Sequence, residues 1–225
     1  MNGTAQRDAA DEPPRPAVAG LLLAAGGGRR LGGRPKALLP LDGRPLVEHA
    51  VAAMRAGGCS PVHVVLGAAA QEVRVHAELS GCVVLDNTDW ESGMGSSLRL
   101  GLSSLAGTGV DAALVVLVDQ PGIGAGAVAR VRAACGSSAS LAAASYGGRR
   151  GHPVLFGAEH WPGVDESAEG DRGARTYLRA RADEIELVEC GDIADPADID
   201  TPADIERMEG LGGGLRPSPR PDAGG

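Results

Sequence analysis

Large aromatic side chains are nearly absent: one Phe, two Trp and two Tyr make up 2% of 225 residues, against 43% hydrophobic residues in all. A core built on packed rings is thereby excluded. Ala, Val and Leu must fill it, which favours helices layered on a sheet. A cationic excess is also missing, since 21 Lys and Arg face 29 Asp and Glu, a formal net charge of −8 and a sequence pI of about 5.1. That balance excludes a nucleic-acid partner bound along a duplex, which needs Lys and Arg clustered across one face. A small anion needs only a local group of donors, so that class stays open.

Cysteine pairs are lacking too. Cys59, Cys82, Cys135 and Cys190 are far apart, with no CxxC and no His at zinc-ligand spacing, and read as reduced thiols. Apolar runs such as Ala112 to Val118 are too short to span a bilayer, and no signal-peptide pattern opens the chain, so the expectation is a cytoplasmic protein with no membrane partner. Residues 1–17 and 210–225 are acidic, Pro-, Gly- or Ser-rich and almost without apolar residues, and are expected to be mobile tails around one domain of residues 18–209.

What is present is an alternation. Strand-length apolar runs lie at Val18–Ala24, Val62–Leu66, Cys82–Leu85, Ala112–Val118, Leu141–Ser145 and Ile185–Glu189. Leu46, Val47, Ala50, Val51 and Met54 share one helical face, with Pro45 suited to the first turn and Gly57-Gly58 to the stop. Ala70–Leu79 and Ala125–Cys135 read as further helices, and Thr201 to Asp204 as a capping box. The expected fold is a single Rossmann-like three-layer α/β domain with a mostly parallel sheet, whose ligands sit at the carboxyl ends of the strands.

The loop leaving the first strand is the most informative segment, Leu21-Leu-Leu-Ala24-Ala25-Gly26-Gly27-Gly28-Arg29-Arg30-Leu31-Gly32-Gly33-Arg34-Pro35-Lys36. Three successive glycines let backbone N–H groups close around an anion, and the cations supply charge for a polyphosphate. Leu31 stands where a dinucleotide fingerprint needs its third glycine, and Arg34 where a P-loop needs lysine, so both standard nucleotide motifs fail. A buried strand ends at Asp119-Gln120-Pro121, placing a carboxylate where a triphosphate-bound Mg2+ would lie. Asp200 is the second metal candidate and Asp198 its neighbouring alternative. Asn87 to Leu98 follows a strand and opens a helix whose Gly93, Ser96 and Ser97 suit close approach to a base and ribose, or ordinary capping. Arg149-Arg150-Gly151-His152-Pro153 and Gly170-Asp171-Arg172-Gly173-Ala174-Arg175 are two basic, glycine-containing loops suited to a phosphorylated acceptor.

These segments, in order, resemble the molybdopterin cytidylyltransferases, nucleotidyltransferases with a glycosyltransferase-A-like fold. The signatures are L-A-A-G-x-G/S-x-R-M/L-G-x-x-K, here with Lys36 one residue later because Gly32-Gly33-Arg34-Pro35 is expanded, N-x-x-W-x-x-G-M-x-x-S-L, D-Q-P, R-G-H-P-V-L-F, G-D-x-G-A-R and D-I-D-T-P-x-D. The resemblance implies that Ala24, Ala25, Gly26, Gly27, Gly28, Arg30 and Lys36 bind the nucleotide, with Gly93, Met94, Ser96 and Ser97. It implies Lys36, Arg30 and Asp119 as catalytic, and Asp119 and Asp200 as ligands of Mg2+ or Mn2+. Arg150, His152, Arg172 and Arg175 would bind the acceptor. The implied substrates are CTP, chosen over GTP because the loop reads Leu-Ala-Ala-Gly, and a molybdopterin-type phosphate, with a molybdoenzyme or its maturation chaperone as partner. The rivals are transfer to another phosphorylated acceptor such as a sugar phosphate, and a non-catalytic nucleotide- or cofactor-binding module.

Overall fold

A computed structural model describes residues 15–28, 32–201 and 203–206. The strands are β1 (Val18–Ala24), β2 (Pro40–Leu41), β3 (Arg44–Pro45), β4 (Val62–Leu66), β5 (Val83–Asp86), β6 (Ala112–Leu117), β7 (Leu141–Tyr146), β8 (Arg149–Gly157) and β9 (Glu186–Glu189). The helices are α1 (Leu46–Ala56), α2 (Ala70–His76), α3 (Met94–Leu105), α4 (Ala125–Arg132), α5 (Trp161–Ser167) and α6 (Arg175–Ala180). Seven strands form one sheet in the order β5-β4-β1-β6-β8-β7-β9, and β2 and β3 pair separately. β8 is antiparallel to both of its neighbours while the other pairings are parallel, so the sheet is mostly parallel as expected.

Strand alternation builds the layers. Val18, Leu22 and Ala24 of β1, with Leu114 and Val116 of β6, meet Val47 and Met54 of α1 and Val128 of α4. Ala19, Leu21 and Leu23, with Val115, face Leu98 and Leu102 of α3, Val164 of α5 and Leu178 of α6. Phe156, the one phenylalanine, is 1% exposed in this second layer. Small side chains let the helices sit close. A Cβ on Gly101 would lie 2.4 Å from Leu21 Cδ1, so α3 rests directly on β1 at that residue.

The connection order positions the ligand crevice. The chain goes from β1 outward to β4 and β5, then returns to β6 on the other side of β1. Leu23 is in register with Leu117, so the loops after β1 and β6 leave the same sheet edge side by side. Such a reversal of strand order is where open α/β sheets hold ligands.

The strands expected from sequence did not include β8, which runs for nine residues. Its first half is Arg149, Arg150, Gly151 and His152, which lack a strand's apolar alternation. The hairpin signal was there, because Gly147 and Gly148 both take positive φ, 59° and 79°, between the paired Tyr146 and Arg149. Two glycines at those angles form the tight turn that right-twisted antiparallel strands favour. Pro45 caps α1 from outside its first turn rather than within it. The expected mobile tails fall mostly outside the described residues, and the four cysteines are unpaired.

Gly101→Val should lower unfolding stability by about 2 kcal/mol through overpacking against Leu21. Urea denaturation checks this, and an unchanged midpoint would show that α3 does not depend on that contact.

Candidate active site

The loop after β1 wraps one side of a cavity of about 300 Å3. Ala25, Gly26 and Gly27 line it, and Trp90 forms the facing wall. A Cβ on Gly27 would stand 3.2 Å from the Trp90 ring, so glycine lets the loop run against the indole. Gly28 is off the wall and serves the turn: its φ is +58°, a Cβ there would lie 1.8 Å from Arg34 O, and its carbonyl accepts from Gly33 N–H at 3.2 Å. Ala24 ends β1 in the core. Arg30 lies outside the described residues.

Lys36 is the only lysine in the chain. Its ammonium donates to Asp119 Oδ2 and to Asp200 Oδ1, at 2.7 Å each. Burial opposes the charge on Lys36, but its hydrogen bonds to the two carboxylates outweigh burial and hold its pKa above the usual lysine value. Asp119 is placed by the end of β6. Asp200 is placed by its backbone: Ile199 N–H donates to Asp119 O at 2.8 Å, and the Ile199 side chain is 1% exposed. Just beyond, the Asp204 carboxylate accepts from Asp200 N–H, Thr201 N–H and the Thr201 hydroxyl at 2.8–3.0 Å, ahead of a helical turn over 203–206, which supplies the carboxylate half of the expected capping box. Gln120 Nε2 adds bonds to Pro196 O and to Asp198 Oδ1. Desolvation, then the charges of Asp119 and Asp200, raise the Asp198 pKa; Asp198 faces a second cavity and does not contact Lys36.

The start of α3 closes the first cavity. Gly93 takes φ +108°, and a Cβ there would meet Gly170 at 2.3 Å, so the loop before α6 packs against this helix end. Gly93, Met94 and Ser97 reach the cavity wall. Ser96 does not: its hydroxyl donates within the turn to Asp89 O and Gly93 O, and Asn87 Nδ2 donates to both Ser96 and Ser97. Neither serine caps α3, whose N-cap is Gly93 without a side-chain cap bond; Ser96 instead ties the first turn of the helix to the segment before it.

A second cavity of about 710 Å3 shares Leu23, Met94 and Leu117 with the first. Arg150, His152, Arg172 and Arg175 all line it, so the two basic loops converge. Arg149, which opens the first basic loop, and Arg179 line it too; Arg179 and Trp90 were given no role from sequence. Arg179 was legible in principle, one helical turn from Arg175. Trp90 was not, because its place depends on how the loop after β1 packs. Burial lowers the His152 pKa to about 4, with Arg175 and Arg150 adding to the effect against Asp119, so its imidazole is neutral near pH 7.

Compared with known proteins, residues 20–185 match the family described as the MobA-like NTP transferase domain. The chain is 43% identical over 199 residues to a Paenarthrobacter nicotinovorans protein named nicotine blue oxidoreductase, covering 86% of this chain and 97% of that one. It is 30% identical over 201 residues to the molybdenum cofactor guanylyltransferase of Rhodobacter capsulatus, covering 85% and 95%. The crystal structure of the Mycobacterium sp. strain JC1 homologue of Mycobacterium tuberculosis Rv0371c superposes with a TM-score of 0.73 at 33% identity, covering 86% of this chain and 96% of that one.

The His152 environment has a consequence for stability. Between its ordinary value of 6.5 and about 4, the unfolded chain binds a proton that the native protein does not, so stability falls as pH drops through that window. His152→Gln should lose less stability over this range than the parent, measured by urea unfolding. The slope should not vanish, because burial also lowers the His63 pKa.

Proposed function

The chain belongs to the MobA-like NTP transferase family, and on that premise we propose that it transfers CMP from CTP to the phosphate of molybdopterin, or of its metal-bound form, releasing pyrophosphate. The carrying observation is the placement of Lys36 and Asp119. Both line the glycine-loop cavity, and the next residue, Gln120, lines the arginine-rich one. The α-phosphate of a nucleotide in the first cavity would then face an acceptor phosphate in the second. Leu23-Ala24-Ala25-Gly26 is the support for cytidine.

An acceptor phosphate oxygen attacks the α-phosphorus, the bond to the β-bridging oxygen breaks, and pyrophosphate leaves with the electron pair. A phosphate monoester is already anionic near neutral pH and needs no strong base. His152, neutral there, would serve as a positioning and hydrogen-bonding group. Gly26 and Gly27 can approach the phosphates through their backbone, and Lys36 supplies positive charge beside them. The rate would come from alignment and charge neutralisation.

Two carboxylate oxygens that converge on one ammonium at equal distance also suit a divalent cation, and Asp119 and Asp200 would hold Mg2+ or Mn2+. Among the described residues no group of three or more His, Cys, Asp or Glu side chains is placed to hold a metal ion. Two carboxylates completed by substrate phosphates are the usual arrangement for Mg2+. When bound, the cation neutralises charge on the triphosphate. The product would pass to a molybdoenzyme or its maturation chaperone.

A second reading comes from the relative named an oxidoreductase at 43% identity. It predicts a redox change of nicotine blue, followed by its absorption, with no pyrophosphate formed.

The deciding assay is pyrophosphate release from CTP, GTP, ATP and UTP with Mg2+, with and without molybdopterin. Release is expected from CTP only when the pterin is present, and Asp119→Asn should reduce it by about 10²-fold or more with an unchanged circular dichroism spectrum. A fully active Asp119→Asn variant would refute its metal role. Saturable CTP binding without turnover would favour another acceptor or a binding module.

A further inference from the structure

The second cavity is more cationic than one phosphate requires. Five arginines line it, Arg149, Arg150, Arg172, Arg175 and Arg179, against a single carboxylate, Asp198. With His152 neutral, five positive charges less one negative leave a formal +4. A phosphate monoester carries about −1.5 to −2 near neutral pH. Roughly two positive charges are left over.

What marks this place is five guanidiniums lining one space. Among the described residues Arg44, Arg74, Arg130 and Arg181 each pair with a carboxylate, Arg55 and Arg99 donate to backbone carbonyls, and none of the five cavity arginines has a carboxylate partner; Arg150 donates to Leu178 O. The protein carries an overall −8, so acidic groups are not scarce. Arg175 and Arg179 also stand four apart on the short helix α6, where like charges repel. Such an arrangement suits an anion that arrives from outside.

Arg150, Arg172 and Arg175 are the three that the acceptor phosphate would engage, which leaves Arg149 and Arg179 over. Arg179 is one helical turn farther along α6, and Arg149 sits beside the Gly147–Gly148 turn. The same cavity also has an apolar lining in Val154, Phe156 and Leu178. We propose that the acceptor carries a second anionic group, separated from its phosphate by an apolar or planar body, and that Arg149 and Arg179 bind that group. This rests on the reading of the cavity as the acceptor site.

The test compares two probes that differ by one charge, phenyl phosphate and 4-carboxyphenyl phosphate, titrated calorimetrically into the full-length protein. The parent should bind the carboxylated probe about tenfold more tightly. In an Arg149→Gln/Arg179→Gln double variant that preference should fall to about one, while Arg181→Gln, which alters a guanidinium outside the cavity, should keep it. Equal binding of the probes by the parent, no binding of either, or a preference that survives the double substitution would each overturn the proposal. A preference that holds while molybdopterin yields no pyrophosphate would sink the molybdopterin reading and leave this site standing. Turnover with molybdopterin and no preference between probes would do the reverse.

Discussion

The centre of this protein depends on one ammonium holding two like charges together. Asp119 and Asp200 are 83 and 164 residues from Lys36 in the chain, yet both accept from its Nζ at the same short distance. Lys36 is 16% exposed and Asp119 23%, so neither charge is fully solvated, and two carboxylates facing each other there without a cation would repel. The backbone bond from Ile199 to Asp119 and the capping of 201–204 by Asp204 hold the carboxylates in place. A cation, whether Lys36 or a metal, then satisfies them. The same feature that stabilises the ligand-free site makes it receptive to a charged substrate complex.

The two cavities follow from packing around this point. The β1–β6 register brings the glycine loop beside Asp119, and contact between Gly101 and Leu21 fixes the height of α3 over the sheet. The start of α3 then forms part of the partition, with Met94 shared by both cavities. Gly93 allows the loop before α6 to touch that helix end, which sets where Arg172 and Arg175 emerge. Reversed strand β8 brings Arg150 and His152 from the opposite side. Small residues at crossing points do work that large aromatics do elsewhere, which is consistent with a core of so few rings.

Much of the fold was legible in the sequence because strand and helix periods are local properties. β1 and β4 have the bounds that their apolar runs suggested, and Asp119 follows a buried strand as expected. β8 escaped because charged and polar residues occupy its first half and break the apolar alternation. The serines illustrate the converse: Ser96 and Ser97 looked alike in sequence, but the Asp89 and Gly93 carbonyls engage Ser96 and leave Ser97 at the wall. Which hydroxyl faces a cavity depends on neighbours several residues away.

By itself the sequence determined the α/β class, the glycine-rich loop at a strand end, the carboxylate after β6 and the presence of two basic segments. Each of these depends on side-chain chemistry and short-range periodicity. Only the tertiary structure decided that Lys36 bridges Asp119 and Asp200, that Trp90 walls the glycine-loop cavity, and that five arginines share the other. Those facts depend on strand order and helix packing, which bring together residues far apart in the chain and are not encoded in any single segment.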